Sequence, residues 1–104
     1  MALDLTFDAL ASEPRRAIVA RLAAGPLRTP EIGRGFGFSK QALSRHIAVL
    51  EGAGLVRRTV HGRVHDLALV RDPLSEVTGW LAEVERGWQA SLDRLDQVLR
   101  STDG

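Results

Sequence analysis

Residues 39–50 constrain the fold of this chain more than any other segment. On a helical wheel with about 100° per residue, residues 40–51 separate into two faces. The apolar face carries Ala42, Leu43, His46, Ile47, Val49 and Leu50. The opposite face carries Lys40, Gln41, Ser44, Arg45, Ala48 and Glu51. The pattern predicts a helix that begins after Ser39 and ends at Gly52 and Gly54, with one buried face and one exposed polar face.

A shorter helix and a glycine turn precede this segment. Thr29 provides a capping hydroxyl and Pro30 suits the first helical position. Because Gly33 is small and Gly37 allows a tight turn, this helix can cross the next one closely, near a right angle. Its inward residues are Ile32, Phe36 and Phe38. We therefore predict a helix–turn–helix over residues 29–52, whose second helix offers its outer N-terminal residues to a DNA major groove.

Two segments that follow predict a β-hairpin over residues 55–70. Residues 55–60 and 64–70 are rich in β-branched and aliphatic side chains, and His61-Gly62-Arg63 joins them. The first strand and the tip carry four basic side chains, namely Arg57, Arg58, His61 and Arg63. Beside a helix–turn–helix, such a hairpin is a wing that can lie along the DNA backbone or place Arg63 in the minor groove.

Helices at both ends complete a predicted single domain over residues 1–104. The first helix lies within residues 1–11, and a second begins after Ser12 and runs to about Ala24. The last helix spans residues 73–99 and follows a cap at Asp72. The predicted fold class is mainly α with a small β-hairpin, a winged helix–turn–helix with the order α-α-α-α-β-β-α.

The last helix carries an apolar stripe on one face. Its members are Leu74, Val77, Leu81, Val84, Trp88, Leu92, Leu95 and Leu99. A helix of about 27 residues is roughly 40 Å long, which exceeds what the core of so short a chain requires. The distal half of the stripe is expected to pack against a second subunit. Packing on the chain's own first helix is the alternative that the pattern leaves open.

Charge is unevenly distributed along the chain, although the net charge is only +1. With lysine and arginine counted against the acids, residues 39–71 contain six and two, a balance of +4, whereas residues 72–104 contain three and seven, a balance of −4. A basic middle with an acidic tail indicates an anionic partner for the middle. Two solvated faces that merely differ in charge would be the simpler interpretation.

The exposed polar residues of the second helix suit contacts with bases. Gln41 can pair with adenine through two hydrogen bonds, and Lys40 or Arg45 can do so with guanine. Ser44 suits either a base or a phosphate. Contacts to the DNA backbone are predicted for Ser39, Arg57, Arg58, His61 and Arg63. An alternative is a protein-interaction module whose basic face meets an acidic partner, although this face lacks large apolar anchors.

Several other functions find little support in the sequence. The chain has no cysteine, which excludes disulfides and thiolate metal sites. His46 falls within the apolar face, so a packing role is favoured over a metal or pH role. No nucleophile–base or paired-carboxylate pattern indicates an enzyme, and no cofactor or metal site is predicted. The N-terminal residues lack a basic signal segment, and no apolar run suits a membrane, so a cytoplasmic protein is expected.

The order of elements resembles the ArsR/SmtB family of bacterial winged-helix repressors. Residues 9–16, 38–47 and 50–56 carry the resemblance. Residues 38–47 are similar to the family's recognition-helix pattern, serine-x-x-x-x-serine-x-histidine-aliphatic. Ser39 is the first serine of that pattern. Residues 50–56 are similar to the family's junction between recognition helix and wing.

The resemblance implies a homodimer, formed through the first and last helices, that binds palindromic operators in double-stranded DNA and usually represses transcription. The implied interface residues are Leu5, Leu81, Val84, Trp88, Leu92, Leu95 and Leu99. Metal sensors of this family use cysteines before the recognition helix, or histidine and acids on the last helix. Because this chain lacks both, it resembles the members without a metal site. Release by a small ligand held near Trp80 and Trp88 is a further possibility that the sequence leaves open.

Overall fold

The structure is a computed structural model that describes residues 2–103. Its elements follow the predicted order, with one added strand. They are α1 (Ala2–Leu10), α2 (Glu13–Leu22), β1 (Leu27–Arg28), α3 (Thr29–Gly33), α4 (Lys40–Gly52), β2 (Val56–His61), β3 (Val64–Leu69) and α5 (Arg71–Asp103). This architecture confirms a mainly helical fold with a small antiparallel sheet. Met1 and Gly104, the ends of the predicted domain, lie outside the described residues.

The chain divides into two compact units, one up to Leu74 and one from Ser75 onward. The first unit contains the helix–turn–helix and the hairpin. Its core consists of buried apolar side chains from most of its helices and strands. They are Ala9, Ile18, Leu22, Ile32, Leu43, Ile47, Leu50, Leu55, Val56 and Leu67.

Helix α4 begins and ends as its sequence predicts. The Ser39 hydroxyl accepts a hydrogen bond from the backbone N–H of Ala42 at 3.1 Å. At the other end, Gly54 has a φ of +77°, a value that suits glycine. The Leu55 N–H then donates to the Leu50 carbonyl at 3.0 Å, which closes a Schellman motif. The buried face of the helix is therefore held at a fixed angle to the strand that follows.

The apolar face of α4 is narrower than predicted. Leu43, Ile47 and Leu50 are buried, but Val49 is 42% exposed, so its assignment to the buried face is wrong. On the wheel Val49 lies at about 180°, at the edge of the apolar arc. His46 is half-buried and packs edge-to-face on Phe38, with ring centroids 5.5 Å apart, which agrees with the predicted packing role.

Helix α3 begins one residue earlier than predicted, because the expected cap, Thr29, is its first helical residue. The N-cap is Arg28, whose backbone N–H donates to the Glu31 carboxylate at 3.1 Å, and Thr29 is already helical. The reason is strand β1, in which Leu27 pairs with Leu67 and holds the chain extended up to Arg28. A strand of two residues shows no alternation, so the sequence did not reveal it.

A close approach between α3 and α4 depends on Gly33. A Cβ atom at this position would lie 2.6 Å from Cδ2 of Leu43, which is nearly buried. The turn between the helices contains Gly37 with a φ of +80°. Both glycines therefore serve the helix–turn–helix in the way the sequence predicts, one through size and the other through conformation.

The sheet has the order β1-β3-β2, and all pairs are antiparallel. The hairpin between β2 and β3 runs from the pair Val56–Leu69 to the pair His61–Val64. Only Gly62 and Arg63 form the turn. His61, which the sequence assigns to the turn, is the last residue of β2. Gly62 has a φ of +63°, as expected in a two-residue hairpin loop.

The second unit consists of α5 from Ser75 onward. The helix as a whole runs through 33 residues, about 50 Å, and exceeds its predicted bounds at both ends. Pro73 is tolerated because it lies in the first turn, where its missing N–H has no intrahelical partner. Beyond Leu99, an ion pair between Arg100 and Asp96 at 3.0 Å and a bond from the Thr102 hydroxyl to the Val98 carbonyl continue the helix.

Candidate nucleic-acid interface

Four side chains at the start of α4 form one surface, which we call the recognition face. Lys40, Gln41, Ser44 and Arg45 are all exposed. Together they line a single open depression of about 880 Å³. The structure thus brings together the four residues that the sequence assigns to base contacts.

The two cations of the recognition face are available to an external partner. Ion pairs among residues 2–103 involve Arg28, Arg58, His61 and Arg100, but neither Lys40 nor Arg45. Hydrogen-bonding side chains surround these charges, and the face presents no large apolar residue. Such a surface suits the edges of base pairs and the phosphates beside them.

The two adjacent arginines of the wing point in opposite directions. In an antiparallel pair, residues directly opposite each other share a face of the sheet. Arg57 is opposite Ala68, on the outer face, whereas Arg58 is opposite the buried Leu67, on the inner face. The two residues therefore cannot make equivalent contacts with one DNA backbone.

Arg58 is engaged within the protein. Its Nε and Nη2 atoms lie 3.2 and 2.7 Å from the two carboxylate oxygens of Glu51, at the end of α4. Its Nη1 lies 2.8 Å from Nδ1 of His65 on β3. Because a guanidinium can only donate, Nδ1 of His65 accepts, and the ring proton is assigned to Nε2. Arg58 thus joins the recognition helix to both strands of the wing.

This linkage changes the electrostatics of both partners. The hydrogen bond from Arg58 is the main cause of a lowered pKa of the Glu51 carboxyl, and burial opposes it only in part. The same bond raises the pKa of Arg58 above its already high value. The sequence suggests neither effect, because Glu51 lies on the polar arc of the wheel and Arg58 belongs to another element. In the free protein Arg58 therefore bonds to Glu51 and His65, and its predicted phosphate contact stays a prediction.

The remaining predicted wing residues lie near its tip. His61 is exposed, with Nε2 4.0 Å from the Asp66 carboxylate. Arg63 is exposed in the two-residue turn. Sequence inspection missed Arg28, which strand β1 places opposite Asp66, with Nε 3.9 Å from its carboxylate. Only the pairing of β1 with β3 brings this cation to the wing.

The residues assigned to a dimer interface are exposed in the single chain. Trp88 is 66% exposed. The other six are also exposed to a large extent, namely Leu5, Leu81, Val84, Leu92, Leu95 and Leu99. Among the described helices, none combines the length and apolar content that a membrane-spanning segment requires.

Helices α3 and α4, the turn between them and the β2–β3 hairpin define a winged helix–turn–helix, a class of DNA-binding domain. A family model described as a helix-turn-helix domain matches residues 10–59. The HTH-type transcriptional regulator Rv2034 of Mycobacterium tuberculosis is 37% identical over 100 residues, which cover 94% of this chain and 89% of that protein. The chain belongs to the ArsR family of transcriptional regulators.

Solved structures of ArsR-type regulators are similar to this chain in fold. An ArsR family transcriptional regulator, RHA00566, is 35% identical with a TM-score of 0.81, over 86% of this chain and 98% of that one. An ArsR-like transcriptional regulator from Rhodococcus shares the fold at 24% identity, with a TM-score of 0.78 over 93% and 92% of the two chains. The predicted resemblance is thereby confirmed. The family consists of transcriptional regulators with a helix–turn–helix domain, and it is not a family of enzymes.

Proposed function

We propose that this chain is a cytoplasmic, homodimeric repressor that binds a palindromic operator and has no metal site. The recognition face carries this proposal, because its two cations have no ion-pair partner among residues 2–103 and lie beside two hydrogen-bonding side chains. Gln41 pairs with adenine, and Lys40 and Arg45 with guanine. Ser44 contacts a base or the adjacent phosphate.

The wing supplies contacts that do not depend on base sequence. Arg57, His61 and Arg63 bind phosphates or the minor groove, and Ser39 approaches a phosphate at the start of α4. Arg58 contributes by holding the wing at a fixed position relative to α4, which its bonds to Glu51 support.

The exposed stripe of α5 supports a dimer. Six of the seven assigned interface residues lie on this stripe, and they leave more apolar surface exposed than a monomer in water usually does. A twofold axis would place two recognition helices about 34 Å apart, in successive major grooves on one side of the DNA. Two copies extend the sequence that is recognised, which one short helix alone cannot do.

The composition of the chain supports the absence of a metal site. The chain has no cysteine, and residues 72–104 contain no histidine. Dimer-bridging metal sites on a last helix draw on imidazole and carboxylate ligands, and here only carboxylates are available. We expect operator affinity to be unchanged by zinc or by a chelator.

The central experiment is a footprint on a DNA site that the wild-type protein selects in vitro, followed by binding measurements. Arg45→Ala should weaken specific binding by about 1–3 kcal/mol and relax the preference at one base pair. The control is Arg86→Ala, which removes an exposed arginine of α5 and should bind like wild type. Unchanged affinity and preference after Arg45→Ala would contradict the assignment of the recognition face.

The dimer has a separate test. Leu92→Asp places a charge in the stripe and should give folded monomers that lose operator binding, because the second recognition helix is missing. Sedimentation at a fixed protein concentration measures the change, and Gln89→Asp, at an exposed polar position of the same helix, is the control. If the Leu92→Asp variant remains a dimer that binds the operator, the stripe has another purpose.

A further inference from the structure

A cleft between the start of α3 and the tip of the wing includes, besides the wing residue Arg63, side chains that have no role in the function proposed above. Its volume is about 420 Å³. It is lined by residues from two separate segments, Arg28, Thr29 and Pro30 from the first, and Arg63, Val64 and His65 from the second. The pairing of Arg28 with Asp66 across β1 and β3 holds these segments side by side.

The cleft is rich in hydrogen-bond donors and positive charge. The side chain of Arg28 is 63% exposed, and its Nε is 3.9 Å from the Asp66 carboxylate, beyond hydrogen-bond distance. Arg63 is exposed and is absent from the ion pairs of the described residues. Two guanidinium groups thus border one cavity, and both keep donors for an external acceptor.

Neighbouring acids offset this charge only in part, because Asp66 lies 3.9 Å from Arg28 and Arg63 has no ion-pair partner among residues 2–103. Neither Glu31 nor Asp66 lines the cleft. The Glu31 carboxylate accepts the backbone N–H of Arg28 at 3.1 Å, so it is already engaged. The Thr29 hydroxyl adds a further donor among the lining residues.

We propose that this cleft binds one phosphate of the DNA backbone, held by Arg28 and Arg63. A guanidinium matches phosphate through two parallel N–H···O bonds, and two of them can bind different oxygens of one group. The first helix of a helix–turn–helix crosses the DNA backbone, and Arg28 is the N-cap of that helix here. This inference rests on the proposed DNA-binding function and adds Arg28, which that function does not use.

The test combines charge variants with neutralised phosphates. The proteins are wild type, Arg28→Gln, Arg63→Gln, the double variant and Arg86→Gln as a control for loss of one positive charge. The DNA is the site selected by the wild-type protein, prepared as a series in which one phosphate at a time is an uncharged methylphosphonate. Binding is measured as a function of salt concentration.

One phosphate in the series should respond specifically. Its neutralisation should weaken wild-type binding about tenfold, weaken binding of Arg28→Gln and Arg63→Gln less, and have little effect on the double variant. Arg28→Gln should lower the magnitude of the salt slope by about 0.9 relative to Arg86→Gln. Arg28→Lys, which retains the charge but loses the planar fork, should keep most of the salt slope and recover only part of the affinity.

Other outcomes would overturn the proposal in distinguishable ways. If Arg28→Gln binds DNA like Arg86→Gln, or if the double variant remains as sensitive as wild type to neutralisation of every phosphate, the cleft holds no backbone phosphate. The effect of Arg45→Ala would still support the recognition face. If the cleft binds free inorganic phosphate and not DNA, Arg28→Gln should likewise bind DNA like Arg86→Gln in phosphate-free buffer. If the wild-type protein selects no DNA at all, both the cleft and the proposed function are wrong.

Discussion

The recognition helix and the wing differ in what holds their polar side chains. On α4, Lys40 and Arg45, which we propose contact bases, project from a helix fixed by its buried face. They have no ion-pair partner within the described chain. On the wing, adjacent arginines separate, so that Arg57 faces outward while Arg58 binds Glu51 and His65. Packing of α4 therefore positions Lys40 and Arg45, whereas Arg58 on the wing is positioned by its own hydrogen bonds.

The difference shows that two cations of equal charge need not be equally available to an external partner. Arg57 and Arg58 have the same chemistry and adjacent positions, yet strand alternation places them on opposite faces. Only one of them retains all its donors for an external phosphate. The following predictions test this division, beginning with the packing that holds α4.

The largest effect is expected for the buried face of α4. Ile47 is 1% exposed and Val49 is 42% exposed, although both lie on the apolar face that the wheel predicts. Ile47→Ala should lower the free energy of unfolding by about 2–5 kcal/mol, because it leaves a cavity in the core. Val49→Ala should change it by less than about 0.5 kcal/mol.

Urea unfolding at a fixed protein concentration measures both variants, since the stability of a dimer depends on concentration. The pair is matched because each substitution removes a β-branched side chain from the same helix. Similar losses at the two positions would mean that Val49 is buried in the assembled protein and that the interface extends to α4.

The sequence predicted α4 and its surroundings well, because their signals are local. Ser39, Gly37 and Gly54 act within a few residues of their positions, and the helical period is repeated over three turns. Gly33 was also identified correctly, since a small residue before a turn indicates a close helix crossing.

The features that the sequence missed depend on residues far apart in the chain. Strand β1 has two residues, and its identity comes from its partner β3. The ion pair of Glu51 with Arg58 joins a helix to a strand, and no helical or strand period predicts it. Arg28 was missed for the same reason, because only the pairing of β1 with β3 brings it close to the wing.

A smaller effect should separate the two wing arginines. Arg57→Gln should leave stability unchanged and lower the magnitude of the salt slope of DNA binding by about 0.9, because one phosphate contact is lost. Arg58→Gln should instead lower the free energy of unfolding by about 1 kcal/mol, since it removes a bidentate ion pair that is about two-thirds buried. It should also weaken DNA binding with little change in the salt slope.

Paired salt titrations and urea unfolding of these two variants form a complete comparison. If Arg58→Gln flattens the salt slope as much as Arg57→Gln and leaves stability intact, Arg58 binds phosphate directly and releases Glu51 in the complex. The ion pair between Arg58 and Glu51 would then exist only in the DNA-free protein.

The smallest effect concerns pH. Since the pKa of Glu51 is lowered in the folded protein from its ordinary value of 4.5, the ion pair stabilises the fold fully above that value. As pH falls through the folded pKa, the carboxyl becomes protonated and the stabilisation disappears. Arg58 has a raised pKa and stays charged throughout this window, so it adds no pH dependence of its own.

The difference in free energy of unfolding between wild type and Arg58→Gln should therefore be constant from about pH 6 to 8 and shrink below about pH 4.5. Urea unfolding at a series of pH values measures it, with Arg57→Gln as the control whose difference stays near zero at every pH. A difference that persists unchanged at the acidic end would assign the effect of Arg58 to packing, because packing does not require an ionised Glu51.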